Sequence, residues 1–296
     1  MKRRTFLKIA VLAAVMNPFE VLAAASGRDS GKGKSQFRQL KVHPLKLPGK
    51  ASGVLGDAHV KDYLTKIRHP NVPHKNDILL KPQQLQMLGS VVAKFDKIQS
   101  TVGHGNFCIL GFEEALLIAG EFPEIGKFTR QELDFLEMIY HRNAVDYGFK
   151  GEKMLVTLTQ TINKKDVFKV PYSGSFLFNG ESLKKYERVK EDLGPDLVLT
   201  SGIRGIPKQF LLFLNKAHHH GGNLSLASRS LAPPGYSYHA TGDFDVGQKG
   251  FGGGNFSEQF TTTPVFKMLA SEGFVKCRYE RDNMLGVRYE PWHVKL

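Results

Sequence analysis

The sequence predicts an α+β fold, and three observations carry that prediction. Residues 56–150 repeat apolar side chains at three- and four-residue steps, the pattern of helices joined by short loops. From Met154 onward the texture changes to short β-rich runs interleaved with helical ones. Those runs mix without the regular strand–helix–strand alternation that a doubly wound sheet requires. With 296 residues there is ample chain to bury a core, in one large domain or two smaller ones.

The N-terminus reads as a leader rather than as part of the fold. Lys2, Arg3, Arg4 and Lys8 surround and precede the start of an apolar run from Ile9 to Met16. Ala23, Ala24 and Ala25 then offer a small-residue cleavage site before Ser26. The run is too short for a membrane span, so the mature protein is expected to have none. Arg3-Arg4 followed by Phe6-Leu7-Lys8 resembles a twin-arginine signal, which implies export of a folded protein to the bacterial periplasm. Removing residues 1–25 deletes four basic residues and Glu20, taking the formal charge from +13 to +10. A basic surface suits anionic partners, and export excludes nucleic acid, leaving anionic envelope polymers. Residues 26–55, rich in Gly, Lys, Ser and Pro, read as a flexible basic tether.

The helical part over 56–150 begins with a short helix carrying Val60, Leu64 and Ile67, stopped by Pro70. Pro82 opens a second helix that places Leu85, Leu88, Val92, Phe95 and Ile98 on one face. Phe112 to Ala119 forms a third, and Thr129-Arg-Gln-Glu132 is a capping box for a fourth. The later part, 151–296, opens with a strand at Met154–Thr159 and a helix from Ser182 to Leu193 with Gly194 past its end. A buried strand at Leu197–Thr200 leads into Ser201-Gly-Ile-Arg204 and a helix over 207–217. Short strands are expected near Leu224–Leu226 and Asp243–Val246, then a helix from Pro264 to Glu272 capped by Thr263. Strands at Phe274–Cys277 and Leu285–Tyr289 complete the pattern. Cys108 and Cys277 are as well explained by free thiols as by a disulfide.

The chemistry concentrates in the last sixty residues. Ser237-Tyr-His239-Ala-Thr-Gly242-Asp-Phe-Asp245 and Glu290-Pro-Trp-His293 supply two histidines and several carboxylates. A catalytic zinc wants three protein ligands, an open position and a nearby base, which this set provides. As one extended strand, His239 and Asp245 would stand roughly 20 Å apart at about 3.3 Å per residue. The chain must therefore double back, and Gly242 is the residue best able to turn it. Glu290 and His293 are three apart, so one tight turn brings them together, with Trp292 as a rigid wall. His218-His219-His220 is a poorer metal site, because adjacent side chains diverge. The glycines between Gly247 and Gly254 lack a phosphate-loop ending and read as a mobile loop beside the site, with Phe251 and Phe256 close by.

The Ser-x-His-x-x-Gly element with its following Asp, and Glu-Pro-Trp-His near the C-terminus, resemble the VanY/VanX family of zinc D-Ala-D-Ala peptidases. Ser201-Gly-Ile-Arg204, with Gln209 five residues beyond, resembles that family's Ser-Gly-x-Arg segment. The resemblance implies a hedgehog/DD-peptidase-like catalytic domain over 151–296, with a small antiparallel sheet flanked by helices. It implies zinc ligands His239, Asp245 and His293, with Glu290 as general base and Arg204 on the scissile carbonyl. Ser237 and Gln209 would line the substrate pocket. Five residues separate His239 from Asp245 where the family usually has six, which leaves Asp243 as the alternative ligand. The implied activity is removal of the terminal D-Ala from peptidoglycan stem peptides. The alternatives are a wall endopeptidase, a D,D-dipeptidase, or a non-catalytic wall-binding module.

Overall fold

The computed structural model describes residues 57–274 and 277–296, with side chains from Tyr63 onward. The expected leader (1–25) and tether (26–55) lie outside the described residues, as does the middle of the strand expected at Phe274–Cys277. Five helices open the described chain: α1 (Asp57–Arg68), α2 (Pro82–Val102), α3 (His104–Cys108), α4 (Phe112–Glu121) and α5 (Arg130–His141). Pro82 sits in the first turn of α2, where its missing N–H costs nothing, and Leu88, Val91, Val92, Phe95, Ile98 and Val102 form the buried face. The capping box of α5 is closed in both directions. Glu132 N donates to Thr129 Oγ1 at 3.2 Å and Thr129 N donates to Glu132 Oε2 at 2.7 Å. Lys94 of α2 donates to the same carboxylate at 2.6 Å, tying the two helices together.

Helices α2 to α5 pack against one later helix, α7 (Ile206–His219). Phe210 of α7 stacks on Phe95 with centroids 5.9 Å apart, and Phe112 of α4 and Tyr140 of α5 close around it. Such ring pairs add roughly 0.5–1.5 kcal/mol each beyond area burial. Residues 55–296 accordingly form one compact unit. Ser201–Arg204 leads through Gly205 into α7, so the packing of that helix fixes its position.

Two small antiparallel sheets complete the fold. A hairpin pairs β1 (Val167–Val170) with β2 (Ser175–Phe178), and the second sheet runs in the order β3 (Leu197–Ser201), β4 (Phe244–Gln248), β5 (His293–Val294). Leu197, Leu199, Phe244, Val246 and Val294 turn inward, where α6 (Glu181–Leu193) covers them with Tyr186, Val189 and Leu193. Val265 and Leu269 of α9 (Pro264–Ser271) close the same core. Mixed helices with small antiparallel sheets are the α+β architecture the sequence predicts.

Three strand expectations fail. Leu224–Ser228 is a helix, α8, because Asn223 caps it by accepting Leu226 N at 2.8 Å. Met154–Thr159 and Leu285–Tyr289 are irregular, held by isolated bonds such as Leu155 N to Gly235 O and Arg288 N to Arg229 O. The β1–β2 hairpin was not foreseen, since four-residue strands carry too little periodicity to read. Cys108 and Cys277 are both free thiols.

Candidate metal centre

Sheet register assembles the site. Asp245 pairs with Ser201 on one side and His293 on the other, so three separate stretches meet at one rung. Gly202 lets this happen: a Cβ there would lie 2.0 Å from Phe176 O, so only glycine lets the Ser201–Arg204 segment press against β2. Gly242 makes the return between His239 and Asp245 at φ +126°, and a Cβ there would strike Leu296 at 2.5 Å. His239 rides on a single 3₁₀ turn, Tyr238–Ala240. A second turn, in which His293 N donates to Glu290 O at 3.1 Å, carries Pro291 and Trp292.

His239, Asp245 and His293 are all buried and offer donor atoms within 4.8 Å of one another. Among the described residues this is the one such group, and His218, His219 and His220 form none. His239 Nδ1 lies 2.7 Å from Gly202 O. A carbonyl only accepts, so Nδ1 carries the proton and Nε2 presents its lone pair to the cavity. That Nε2 and Asp245 Oδ1 are buried without a hydrogen-bond partner. Asp245 Oδ1 is 3.3 Å from His239 Nε2 and 3.1 Å from His293 Nδ1. Two ligands each about 2 Å from a tetrahedral ion stand roughly 3.3 Å apart, so the donor set fits zinc.

Asp243, the alternative ligand, is engaged elsewhere. It accepts from His293 Nε2 at 2.9 Å, from Leu296 N at 3.1 Å, and from Arg278 through Nε and Nη2. Arg278 is itself held over the Tyr238 ring at 3.7 Å. Asp243 thus fixes the ring of His293 from the side away from Asp245, the usual arrangement of a carboxylate behind a metal-binding histidine.

The electrostatics follow from burial. Burial, then the Arg204 cation, push His239 down to about 4, so its ring is neutral at pH 7. Burial works against the charged form of His293, but Asp243 and Asp245 outweigh it and raise the group to about 9. Asp245 is held well below the usual carboxylate range: burial would raise it, and the neighbouring imidazoles of His239 and His293 together with the Arg204 cation prevail. Glu290 is pushed up to about 7 by burial, against the pull of Arg288 and His293. That places it in the range of a group that takes and returns protons near neutrality. Its Oε2 lies 3.9 Å from His293 Nδ1.

Arg204 reaches the same cavity, its Nη2 2.5 Å from Asp245 Oδ2 and its Nε donating to Ser201 Oγ at 2.9 Å. Ser237 lines the cavity. Gln209 does not: it lies on α7 beneath the wall and donates to Ala232 O at 2.5 Å. Phe256 stands at the rim, its ring edge-on to Trp292 at 6.3 Å, and the glycines before it form a 3₁₀ turn. Sequence reasoning missed Arg288, Ser230 and Tyr279, which also line the space. Only Arg288 carried a signal, as a cation two residues from Glu290.

Residues 180–296 match the family model VanY, D-alanyl-D-alanine carboxypeptidase. The match takes in less than half of the chain. It contains His239, Asp245, His293, Glu290 and Arg204 together, whereas residues 57–179 lie outside the match. Among solved structures, the LdcB LD-carboxypeptidase, described with the basis of its peptidoglycan recognition, is 20% identical. The alignment covers 45% of this chain and 69% of that one, with a TM-score of 0.38. A mutant of the vancomycin-resistance D,D-pentapeptidase VanY in complex with Zn(II) is 20% identical over 44% of this chain and 76% of its own, with a TM-score of 0.35. VanYB in complex with D-alanine-D-alanine is 18% identical over 48% and 80%, with a TM-score of 0.37. No curated protein matches the chain.

Proposed function

We propose that the protein is a zinc-dependent D,D-carboxypeptidase that removes the terminal D-Ala of peptidoglycan stem peptides. The observation that carries this reading is the set of unpartnered buried donors on His239 and Asp245, closed by His293, inside the stretch that matches the VanY family model. His239 Nε2, Asp245 and His293 Nδ1 would hold the ion. A zinc ion bound there supplies Lewis acidity and brings loss of a proton from water close to neutral pH.

The chain's own groups do the rest. Glu290 takes the proton from the attacking water, and then delivers it to the nitrogen of the departing D-Ala. Arg204, with its Nε fixed by Ser201, donates to the scissile carbonyl oxygen as negative charge develops there. Trp292 and Phe256 line one side of the cavity and would flank the substrate there. The cavity is small, about 80 Å³, which suits one small terminal residue. Delivery to the periplasm by the twin-arginine-like leader would put the site beside its substrate, and the basic charge would favour anionic envelope polymers.

Mass spectrometry of products from defined muropeptides tests the reading. Loss of a single D-Ala from pentapeptide stems is expected. Cleaved crosslinks would indicate an endopeptidase, and hydrolysis of free D-Ala-D-Ala alone a dipeptidase. Wall binding without any peptide loss would leave only a binding module.

A further inference from the structure

One wall of the cavity presents hydrogen-bond donors that the hydrolytic steps do not use. Arg288 lines the cavity, and its Nε is buried without a hydrogen-bond acceptor. The nearest carboxylate oxygen, Glu290 Oε1, stands 3.7 Å away, beyond hydrogen-bond range. The guanidinium is held in place: it lies 4.9 Å from the centre of the Trp292 ring, and its Nη2 donates to Phe256 O at 3.1 Å. A buried donor left without an acceptor costs stability, unless a ligand supplies one.

Ser230 stands beside it, because Arg288 N donates to Arg229 O at 2.8 Å and brings the two stretches together. Lys216, in the last turn of α7, reaches Ser230 from behind, with Nζ to Oγ at 2.7 Å. An ammonium can only donate, so Ser230 Oγ accepts from Lys216 and its own hydroxyl proton is left to donate. Lys216's other partner, Asn71 Oδ1 at 3.1 Å, is neutral as well. Two cations and a free O–H thus meet at the wall next to Glu290. Arg204 does not share this task, being engaged by Asp245 and Ser201.

We propose that Arg288 and Ser230, backed by the charge of Lys216, form a subsite for a carboxylate group of the peptide substrate. A carboxylate supplies one oxygen for the guanidinium Nε–H and the other for the serine hydroxyl, with charge assistance from both cations. The group is either the terminal carboxylate or an acidic side chain nearer the N-terminus of the peptide. This inference rests on the peptidase reading, because it assigns part of that substrate to a place in the site. It makes Arg288 and Ser230 determinants of specificity for peptides bearing a negative charge.

Calorimetry on the full chain, with and without added zinc, tests it independently of turnover. The ligands are D-Ala-D-Ala, its C-terminal carboxamide, and a carboxamide-capped peptide with an acidic side chain one residue before the D-Ala pair. Wild type should bind the free acid on the order of tenfold to a hundredfold more tightly than the plain amide, the range of a hydrogen bond to a charged group. Arg288→Gln, Ser230→Ala and Lys216→Gln should each shrink that ratio, and Ser230→Ala removes only one buried hydroxyl should the others fail to fold. Tight binding of the capped acidic peptide, lost in the same variants, would support the subsite and assign it to the side chain. Equal binding of all three ligands, no binding of any, or a preference that survives in all three variants would overturn the proposal. An intact preference for the acid without D-Ala release would count against the peptidase reading alone.

Discussion

Glu290 and Asp243 are both buried acids beside His293, yet their surroundings give them opposite tasks. Glu290 has no hydrogen bond to a cation, and burial keeps its proton on until about pH 7. Asp243 accepts from Arg278, His293 and a backbone N–H, which hold it ionised far below that range. Glu290→Gln should therefore keep zinc at one ion per chain while kcat falls by roughly 10²–10⁴, the usual worth of a positioned base. Measured turnover close to wild type would remove Glu290 from that role. Asp243→Asn should act on the metal instead, weakening zinc affinity by about 10- to 100-fold in a competition titration, because the ring of His293 loses its orienting acceptor. Unchanged affinity would show that the ring is held by packing alone. The spacing of His239, Gly242 and Asp245 was legible in the sequence, since it needs only chain geometry. The partner of Asp243 was not, because Arg278 lies 35 residues away and nothing local marks it.

Among the elements, β4 matters most, since it alone pairs with both neighbours in its sheet. Phe244 and Val246 point into the core while Asp245 between them points to the site, so the two-residue alternation that buries the strand also aims that carboxylate. Phe244 is fully buried and packs edge-on against Tyr186 of α6. Phe244→Ala should cost about 3–5 kcal/mol in denaturant unfolding and loosen the site with the strand. A loss below about 1 kcal/mol would mean that the sheet is not what positions Asp245. Capped helices were readable from sequence because Thr129, Thr263 and Pro82 each mark an end with a local signal. Strands were read well only where an apolar run was buried, as at Leu197–Ser201. At Leu224–Ser228 the same kind of run is helical, since apolar content alone does not separate the two and the Asn223 cap decides.

For the molecule as a whole, α7 joins the helices of the first half to the sheet of the second. Its N-terminal end is fixed by Gly205 N donating to Cys108 O at 2.7 Å, and its body by Phe210 against Phe95. Arg204 is the residue just before that anchor. Phe95→Ala, far along the chain from His239, Asp245 and His293, should therefore lower catalytic efficiency as well as stability. Lost stability with unchanged kcat/KM would mean that the two halves are energetically separate. Long-range dependence of this kind is invisible in a single sequence, where residues 56–150 read only as helices with no stated purpose. The most direct measurement is of D-Ala released from a D-Ala-D-Ala pentapeptide by the full chain, before and after zinc is removed and returned. Release by the zinc-loaded protein, loss on chelation and recovery with one zinc per chain are expected. A chain that binds zinc stoichiometrically and releases no D-Ala, or that releases it equally well after chelation, would contradict the zinc carboxypeptidase reading.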